Sequence, residues 1–147
     1  LGVPLTHRDH ADAVRFVTGH ARSECTDGVA DRYSWQALAD PKGTLVIYMG
    51  VKTAGDIADK LMADGLSPDM PVAVIENGAR PSMRVLRGLL AGLPDLVEHE
   101  SVTSPALIVI GEVTARETFP SPSESWDLVQ AGASIGGGPS LRWDSQR

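Results

Sequence analysis

The sequence predicts an α/β protein built on a mixed β-sheet of about five strands flanked by helices. Three strand-sized apolar runs, at residues 45–49, 72–75 and 106–110, punctuate a chain of 147 residues. Residues 44–75 have the pattern of strand, helix and strand, which is a βαβ unit. With 42% apolar and 22% charged residues, the composition is that of a globular protein, and the length suits one domain.

The amino-terminal part is expected to supply two strands. Residues 14–19 (VRFVTG) are β-branched and aromatic and end in glycine, which predicts a strand. A polar stretch follows, with a short helical pattern at residues 34–39. After a turn at residues 41–43, residues 44–50 (TLVIYMG) are apolar on both faces, as expected for a strand covered by helices on both sides.

A helix is predicted over residues 53–64. Thr53 and Asp56 have the spacing of a capping box, and Gly65 stands where a carboxyl-terminal cap is expected. One face of this helix is apolar: Ile57, Ala58, Leu61 and Met62.

The segment at residues 83–90 is ambiguous. Its apolar residues fit a helical stripe, but Gly88 weakens that interpretation and an extended segment stays open. Residues 93–100 predict a short helix with a proline in its first turn. Residues 106–114 (ALIVIGEVT) predict the last strand.

Charge and cysteine content exclude several classes of protein. The chain has 13 Lys and Arg against 19 Asp and Glu, a formal charge of −6, which argues against a nucleic-acid partner. No run approaches the ~20 apolar residues of a membrane span and no secretory signal is recognisable, so no membrane partner is expected. Cys25 is the only cysteine, which excludes internal disulfides and Cys-rich zinc sites. A single cysteine fits a reducing compartment, so we expect a cytoplasmic protein.

Two segments differ in composition. Residues 1–114 are expected to form one domain, and residues 115–147 a flexible tail rich in Pro, Gly and Ser. The chain opens at Leu1 without a Met, in a stretch (LGVPL) typical of a connection, so we expect a fragment of a longer protein.

No residues are marked clearly for catalysis. The glycines at 136–138 lack the flanking pattern of a phosphate-binding loop, which favours a linker. His7 and His10 lie three residues apart, but a metal needs three or four converging ligands, so solvated loop residues are favoured and no metal is expected. No nucleophile elbow and no marked pair of carboxylates is present, so the residues alone predict no catalytic centre.

Two loops after predicted strands have the composition of a ligand seat. They are residues 49–50 (MG) and 76–79 (ENGA). Ligands of open α/β sheets bind beyond the carboxyl ends of strands, where glycine permits close backbone approach and Met gives an adaptable apolar surface. Together they would form a flat site of apolar and backbone groups, which would suit an adenine ring. The alternative is that Gly50 and Gly78 supply turn conformations and that Met49 belongs to the core.

Five separated blocks occur in a fixed order along the chain: PLTHRD (4–9), VTGH (17–20), YMG (48–50), PVAVIENG (71–78) and SPALIVIG (104–111). In order and spacing they resemble the C-terminal domain of the tetrapyrrole methylase fold. The resemblance is to uroporphyrinogen-III C-methyltransferase, the methylating part of sirohaem synthase and its cobalamin-pathway relatives. It covers about residues 2–114, and the tail has no counterpart in it.

The resemblance implies a two-domain enzyme, usually a homodimer, that acts on a tetrapyrrole. Such enzymes transfer methyl groups from S-adenosylmethionine to C2 and C7 of uroporphyrinogen III, giving precorrin-2 and S-adenosylhomocysteine. The cofactor lies in the cleft between the domains. Thr6 and Arg8 are implied on the substrate side, where the Arg8 guanidinium suits a substrate carboxylate. Four residues are implied at the cofactor: Met49, Gly78, Ala79 and Ala106.

The chain departs from the family pattern in two places. The N-terminal half is absent, with its Gly-rich first loop, its Gly-Asp-Pro segment and its acid–base residues. No catalytic residue is therefore assigned, and the chain alone is expected not to transfer methyl groups. After Gly78 it continues Ala79-Arg80-Pro81, where the family usually has Gly-Thr. The alternatives are a fragment of another precorrin methyltransferase and a stand-alone, non-catalytic module for dimerisation or ligand binding.

Overall fold

A five-stranded sheet organises the chain. The computed structural model describes residues 5–19 and 34–115. The strands are β1 (Ala13–Thr18), β2 (Gly43–Tyr48), β3 (Pro71–Glu76), β4 (Arg84–Leu89) and β5 (Ala106–Ile110). The helices are α1 (Trp35–Leu38), α2 (Ala54–Ala63) and α3 (Leu93–His99). The predicted tail beyond residue 115, and with it the glycines at 136–138, lies outside the described residues.

The sheet is mixed, as predicted. Its strand order is β1-β2-β5-β3-β4. β1 and β2 are parallel, whereas β5 is antiparallel to both of its neighbours and β4 is antiparallel to β3. The last strand in sequence is therefore inserted between the two strands of the predicted βαβ unit.

The two faces of the sheet differ in what covers them. The first face packs against all three described helices and forms the main core. Its strand residues are Leu45, Ile47, Val72, Val74, Ile108 and Ile110. The second face holds a smaller cluster around Val46, Ile75 and Val109. No residue of α1, α2 or α3 belongs to this second cluster. Val46 is nevertheless buried, so β2 is covered on both faces, as predicted, but by α-helices on the first face alone.

The predicted capping box of α2 is wrong. Thr53 is the N-cap residue, but its side chain makes no capping hydrogen bond. Its hydroxyl instead donates to the backbone oxygen of Gly19, at 2.9 Å, at the end of β1. The prediction of a glycine cap at the other end is confirmed, since Gly65 follows the helix with a left-handed φ of 102°.

The structure resolves the ambiguous segment and shortens the last strand. Residues 84–89 are extended, because each pairs with a residue of β3 in an antiparallel hairpin. β5 ends at Ile110 rather than at residue 114. At Gly111 the backbone turns, with φ of 146°, and passes so close to Gly43 that a Cβ would lie 2.9 Å from the Gly43 oxygen. A 3₁₀ turn, Glu112–Ala115, follows.

In the described part of the chain, no helix combines the length and the apolar character that crossing a bilayer requires.

Candidate functional site

The ends of two strands and the start of a third meet at one edge of the sheet. β2 and β3 run in the same direction, because each is antiparallel to the β5 strand between them. Leu107 pairs with Tyr48 at the end of β2 and with Ile75 near the end of β3. We call this the carboxyl edge: residues 19, 48–50, 76–79 and 105–106. Four of the predicted site residues lie on it: Met49, Gly78, Ala79 and Ala106.

Met49 is an exposed apolar residue at the carboxyl edge. It leaves β2 in a left-handed conformation, with φ of 55°, and its side chain is 59% exposed. The alternative that Met49 belongs to the core is therefore wrong. A flexible thioether in this position offers an apolar surface that adapts to a flat ligand.

Gly19 and Gly50 bring the ends of β1 and β2 into direct contact. A Cβ on Gly19 would lie 2.5 Å from the Cα of Gly50, and a Cβ on Gly50 would lie 2.9 Å from the Ile47 side chain. The φ of Gly50 is −95°, a value open to any residue. Gly50 is therefore required for close packing and not for a special turn conformation. The Thr53 hydroxyl, bonded to Gly19, supports this contact.

Gly78 occupies a turn in which its two neighbours carry the strain. Asn77 and Ala79 have left-handed φ values of 52° and 62°, but Gly78 does not have a positive φ. Within the described residues, a Cβ on Gly78 would have only the Ile75 side chain within 4 Å, at 3.6 Å, which is an ordinary contact. Neither backbone conformation nor packing there requires glycine at this exposed position. The missing side chain leaves space through which a ligand can reach the backbone.

Ala106 begins β5 and is half-buried at the carboxyl edge. The backbone N–H of Asn77 donates to the Pro105 oxygen at 2.9 Å, which joins the 77–80 turn to the entrance of β5. The Ser104–Pro105 peptide bond is cis. Backbone groups of both segments therefore lie beside one another, where a ligand could bind them together.

Glu76 is a buried carboxylate at the same edge. Arg84 Nε donates to Glu76 Oε2 at 2.7 Å, and the Thr103 backbone N–H and hydroxyl donate to Oε1 at 2.7 and 2.9 Å. The Arg84 hydrogen bond and then those of Thr103 lower the pKa of Glu76 from 4.5 to about 2. The carboxylate is therefore ionised at neutral pH.

The sequence alone assigns no role to the Glu76 side chain. The available signal is a charged residue at the end of an otherwise apolar strand, with an arginine eight positions later. These two residues face each other once β3 and β4 form a hairpin in this register. Thr103 comes from a third segment, and no local pattern points to it.

Thr6 and Arg8 lie at the other end of β1. Backbone hydrogen bonds between residues 7 and 11 hold Thr6 and Arg8 close to the start of β1. There the Asp12 backbone N–H donates to the Lys42 oxygen, just before β2. β1 then runs six residues, roughly 17 Å, to the carboxyl edge. The structure does not bring Thr6 and Arg8, both exposed, together with the four residues predicted to contact the cofactor.

His7 and His10 contact each other as a tilted ring pair, with centroids 5.0 Å apart. The His7 Nδ1 accepts a hydrogen bond from the Asp9 backbone N–H. In residues 5–19 and 34–115, no three side chains of His, Cys, Asp and Glu are grouped so as to hold a metal ion.

Comparison with known sequences identifies the proteins to which this chain is related. A family model described as Tetrapyrrole (Corrin/Porphyrin) Methylases matches residues 1–94. Siroheme synthase of Pseudoalteromonas translucida is 48% identical over 114 residues, which cover 78% of this chain and 23% of that protein. Siroheme synthase of Citrobacter koseri is 51% identical over 114 residues, with the same coverage. The chain thus spans about a quarter of the length of the curated relatives it matches.

Solved structures have the same fold. Uroporphyrin-III C-methyltransferase of Thermus thermophilus, complexed with S-adenosylhomocysteine, superposes with a TM-score of 0.63 and 29% identity. The match covers 76% of this chain and 45% of that one. A cobalt precorrin-4 methyltransferase superposes with a TM-score of 0.66 at 20% identity, which bears on the fold alone. The predicted α/β class with a mixed sheet of five strands and flanking helices is confirmed.

The lowered pKa of Glu76 predicts a specific loss of stability in acid. A depressed folded-state pKa stabilises the protein above pH 5, and this contribution disappears as the pH falls from about 5 to about 2. The Glu76→Gln variant, which has no carboxylate to protonate, should show a weaker dependence of its unfolding free energy on pH over that range. Urea unfolding at several pH values measures the effect.

Asp59→Asn is the matched control, because it removes an exposed carboxylate of α2 that lies outside the Glu76 network. The unfolding free energy of Asp59→Asn should depend on pH as that of the wild type does. An unchanged slope in Glu76→Gln would contradict the assignment.

Proposed function

This chain belongs to the tetrapyrrole methylase family, and we propose that it forms the C-terminal half of an S-adenosylmethionine-dependent uroporphyrinogen-III C-methyltransferase. In this proposal the parent protein converts uroporphyrinogen III to precorrin-2 by methylation at C2 and C7. Residues 1–114 are the domain and residues 115–147 a tail. The identity to siroheme synthases and the coverage of 45% of the Thermus thermophilus enzyme support the proposal.

The observation that carries the proposal is the arrangement of the carboxyl edge. An exposed Met49 ends β2, an open Gly78 follows β3, and β5 lies between the two strands. Open α/β sheets bind ligands in this position. The residues present fit S-adenosylmethionine, because the flat faces of its adenine ring suit an apolar surface and the polar edge of that ring suits backbone partners.

Each proposed residue has a task in holding the cofactor. Met49 supplies apolar surface, and Gly78 permits close approach of the backbone. Ala79 and Ala106 offer backbone groups on either side of the bond between Asn77 and Pro105. Bound S-adenosylmethionine supplies a methyl group on a positively charged sulfur, which keeps the bonding electrons when the methyl moves to a ring carbon.

This half of the enzyme contributes orientation. Methyl transfer depends on donor and acceptor being held in line, and holding two reactants in geometry accounts for much of the rate. Thr6 and Arg8, at the end of β1 opposite the proposed cofactor residues, are the proposed substrate-side residues, and the Arg8 guanidinium would bind a substrate carboxylate that reaches that end. No catalytic acid or base and no metal is proposed in this chain. A homodimeric, cytoplasmic parent protein is part of the same proposal.

Incubation of the intact parent protein with uroporphyrinogen III and S-adenosylmethionine tests the reaction. We expect a product heavier by two CH2 units, because each methyl group gained is matched by one proton lost, and no product from the 147-residue chain alone. Mass spectrometry of the extracted tetrapyrrole measures it. Binding of S-adenosylhomocysteine without methylation of uroporphyrinogen III would favour another precorrin methyltransferase. Absence of both would favour the non-catalytic module.

Met49→Asp should weaken S-adenosylhomocysteine binding by the parent protein about tenfold or more, because it places a charge against an apolar surface. Aspartate tolerates the left-handed conformation at this position, so the fold should be unaffected. Isothermal titration calorimetry gives the affinity. Leu89→Asp is the control, a comparably exposed apolar residue at the far end of β4, and it should bind normally. Unchanged affinity in Met49→Asp would remove Met49 from the site.

Gly78→Val should weaken the same binding about tenfold by blocking approach to the backbone. The unfolding free energy should change by about 0.5 kcal/mol or less, as at other exposed positions. Gly92→Val is the matched control. Gly92 lies at the start of α3, outside the carboxyl edge, and a Cβ on it would have no atom within 4 Å in the described part of the chain, so this variant should bind normally. Normal binding by a folded Gly78→Val protein would remove Gly78 from the cofactor site.

A further inference from the structure

Both oxygens of the Glu76 carboxylate are used, and they connect three segments of the chain. We infer that Glu76 is a positioning residue for the cofactor, holding the 77–80 turn and the entrance of β5 in the arrangement that the ligand needs. This inference rests on the proposed function. Glu76 is only 4% exposed and does not itself line the open surface of the carboxyl edge.

The first of these connections closes the loop between β3 and β4. Glu76 and Arg84 are paired residues of the hairpin, and the Nε–Oε2 contact is 2.7 Å. The loop that contains Gly78 therefore begins and ends at the same ion pair. Arg84 in turn donates from Nη2 to the Glu100 backbone oxygen at 3.1 Å and lies 3.8 Å from the Glu100 carboxylate.

The second connection reaches the segment that enters β5. The Thr103 backbone N–H and hydroxyl both donate to Glu76 Oε1. Thr103 precedes Pro105, whose oxygen accepts the Asn77 N–H at 2.9 Å. One carboxylate thus sets the distance between the turn and the start of β5.

The turn needs this external support. Ala79 is left-handed, a conformation that is costly for a residue with a plain Cβ and persists where the surroundings impose it, whereas Asn77, also left-handed, is a residue type that tolerates it. Burial limits competition by water for the Glu76 oxygens, which makes the charged hydrogen bonds stronger than exposed ones. Without the carboxylate the turn is expected to relax, and Gly78, Ala79 and Ala106 no longer converge.

The test measures cofactor affinity in the intact parent protein with S-adenosylhomocysteine as the probe. Glu76→Gln and Arg84→Ala should each raise its dissociation constant about tenfold, through displacement of groups that the ligand contacts. The KM for S-adenosylmethionine should rise in parallel while the KM for the tetrapyrrole stays unchanged. Arg84→Lys, which keeps the charge, should recover part of the affinity lost in Arg84→Ala.

Asp40→Asn is the matched control. Asp40 forms an ion pair with Arg15 at 3.0 Å, and it precedes the start of β2, at the end of that strand opposite the carboxyl edge. Its loss should lower the unfolding free energy without changing affinity for S-adenosylhomocysteine. A role confined to stability would lower the amount of active protein in all variants and leave both KM values unchanged.

The outcomes separate this inference from the proposed function. If the wild-type protein binds S-adenosylhomocysteine and folded Glu76→Gln binds it equally well, Glu76 has no positioning role and the proposed function stands. If Glu76→Gln does not fold, Arg84→Ala replaces it, because Arg84 is the more exposed partner of the ion pair. Unchanged affinity in folded Arg84→Ala would then exclude the positioning role. If the wild-type protein does not bind the probe, the proposed function and this inference are both overturned.

Discussion

The insertion of β5 between β2 and β3 is the constraint on which the rest of the structure depends. Because β5 runs against both neighbours, the ends of β2 and β3 come to the same edge as its own first residues. Loops that are far apart in sequence, at residues 49–50, 77–79 and 105–106, are thereby brought together. A parallel strand in the central position would have placed its first residues at the opposite edge.

The carboxyl edge is held by two kinds of interaction on its two sides. Between β1 and β2 the contact is steric, since a Cβ on Gly19 would lie 2.5 Å from the Cα of Gly50, and a Cβ on Gly50 would lie 2.9 Å from the Ile47 side chain. Between β3 and β5 the contact is electrostatic, through Glu76 and its donors on Arg84 and Thr103. The contact between β1 and β2 depends on close packing, whereas the contact at Glu76 depends on charge. Backbone groups at the carboxyl edge can therefore be exposed while the strands behind them stay packed.

The two faces of the sheet differ from its carboxyl edge in the groups that they leave accessible. The three α-helices cover the first face, where their apolar side chains pack against those of the strands. The described part of the second face includes exposed Phe16 and Tyr48 but no polar cluster like the one around Glu76. At the edge, the strands end and free backbone groups become available, so a ligand can be bound by main chain and by a few side chains together.

The sequence by itself predicted four of the five strands, the helices, and the two loops that we propose contact the cofactor. Those features follow from local patterns: apolar runs, helical periodicity, and glycine after a strand or helix. Only the tertiary structure decided that residues 84–89 are extended, that β5 stops at Ile110, and that the Thr53 hydroxyl bonds to Gly19. The roles of Glu76 and Gly50 were likewise decided only by the tertiary structure. In each case the deciding partner lies elsewhere in the chain, and local patterns carry no information about distant neighbours.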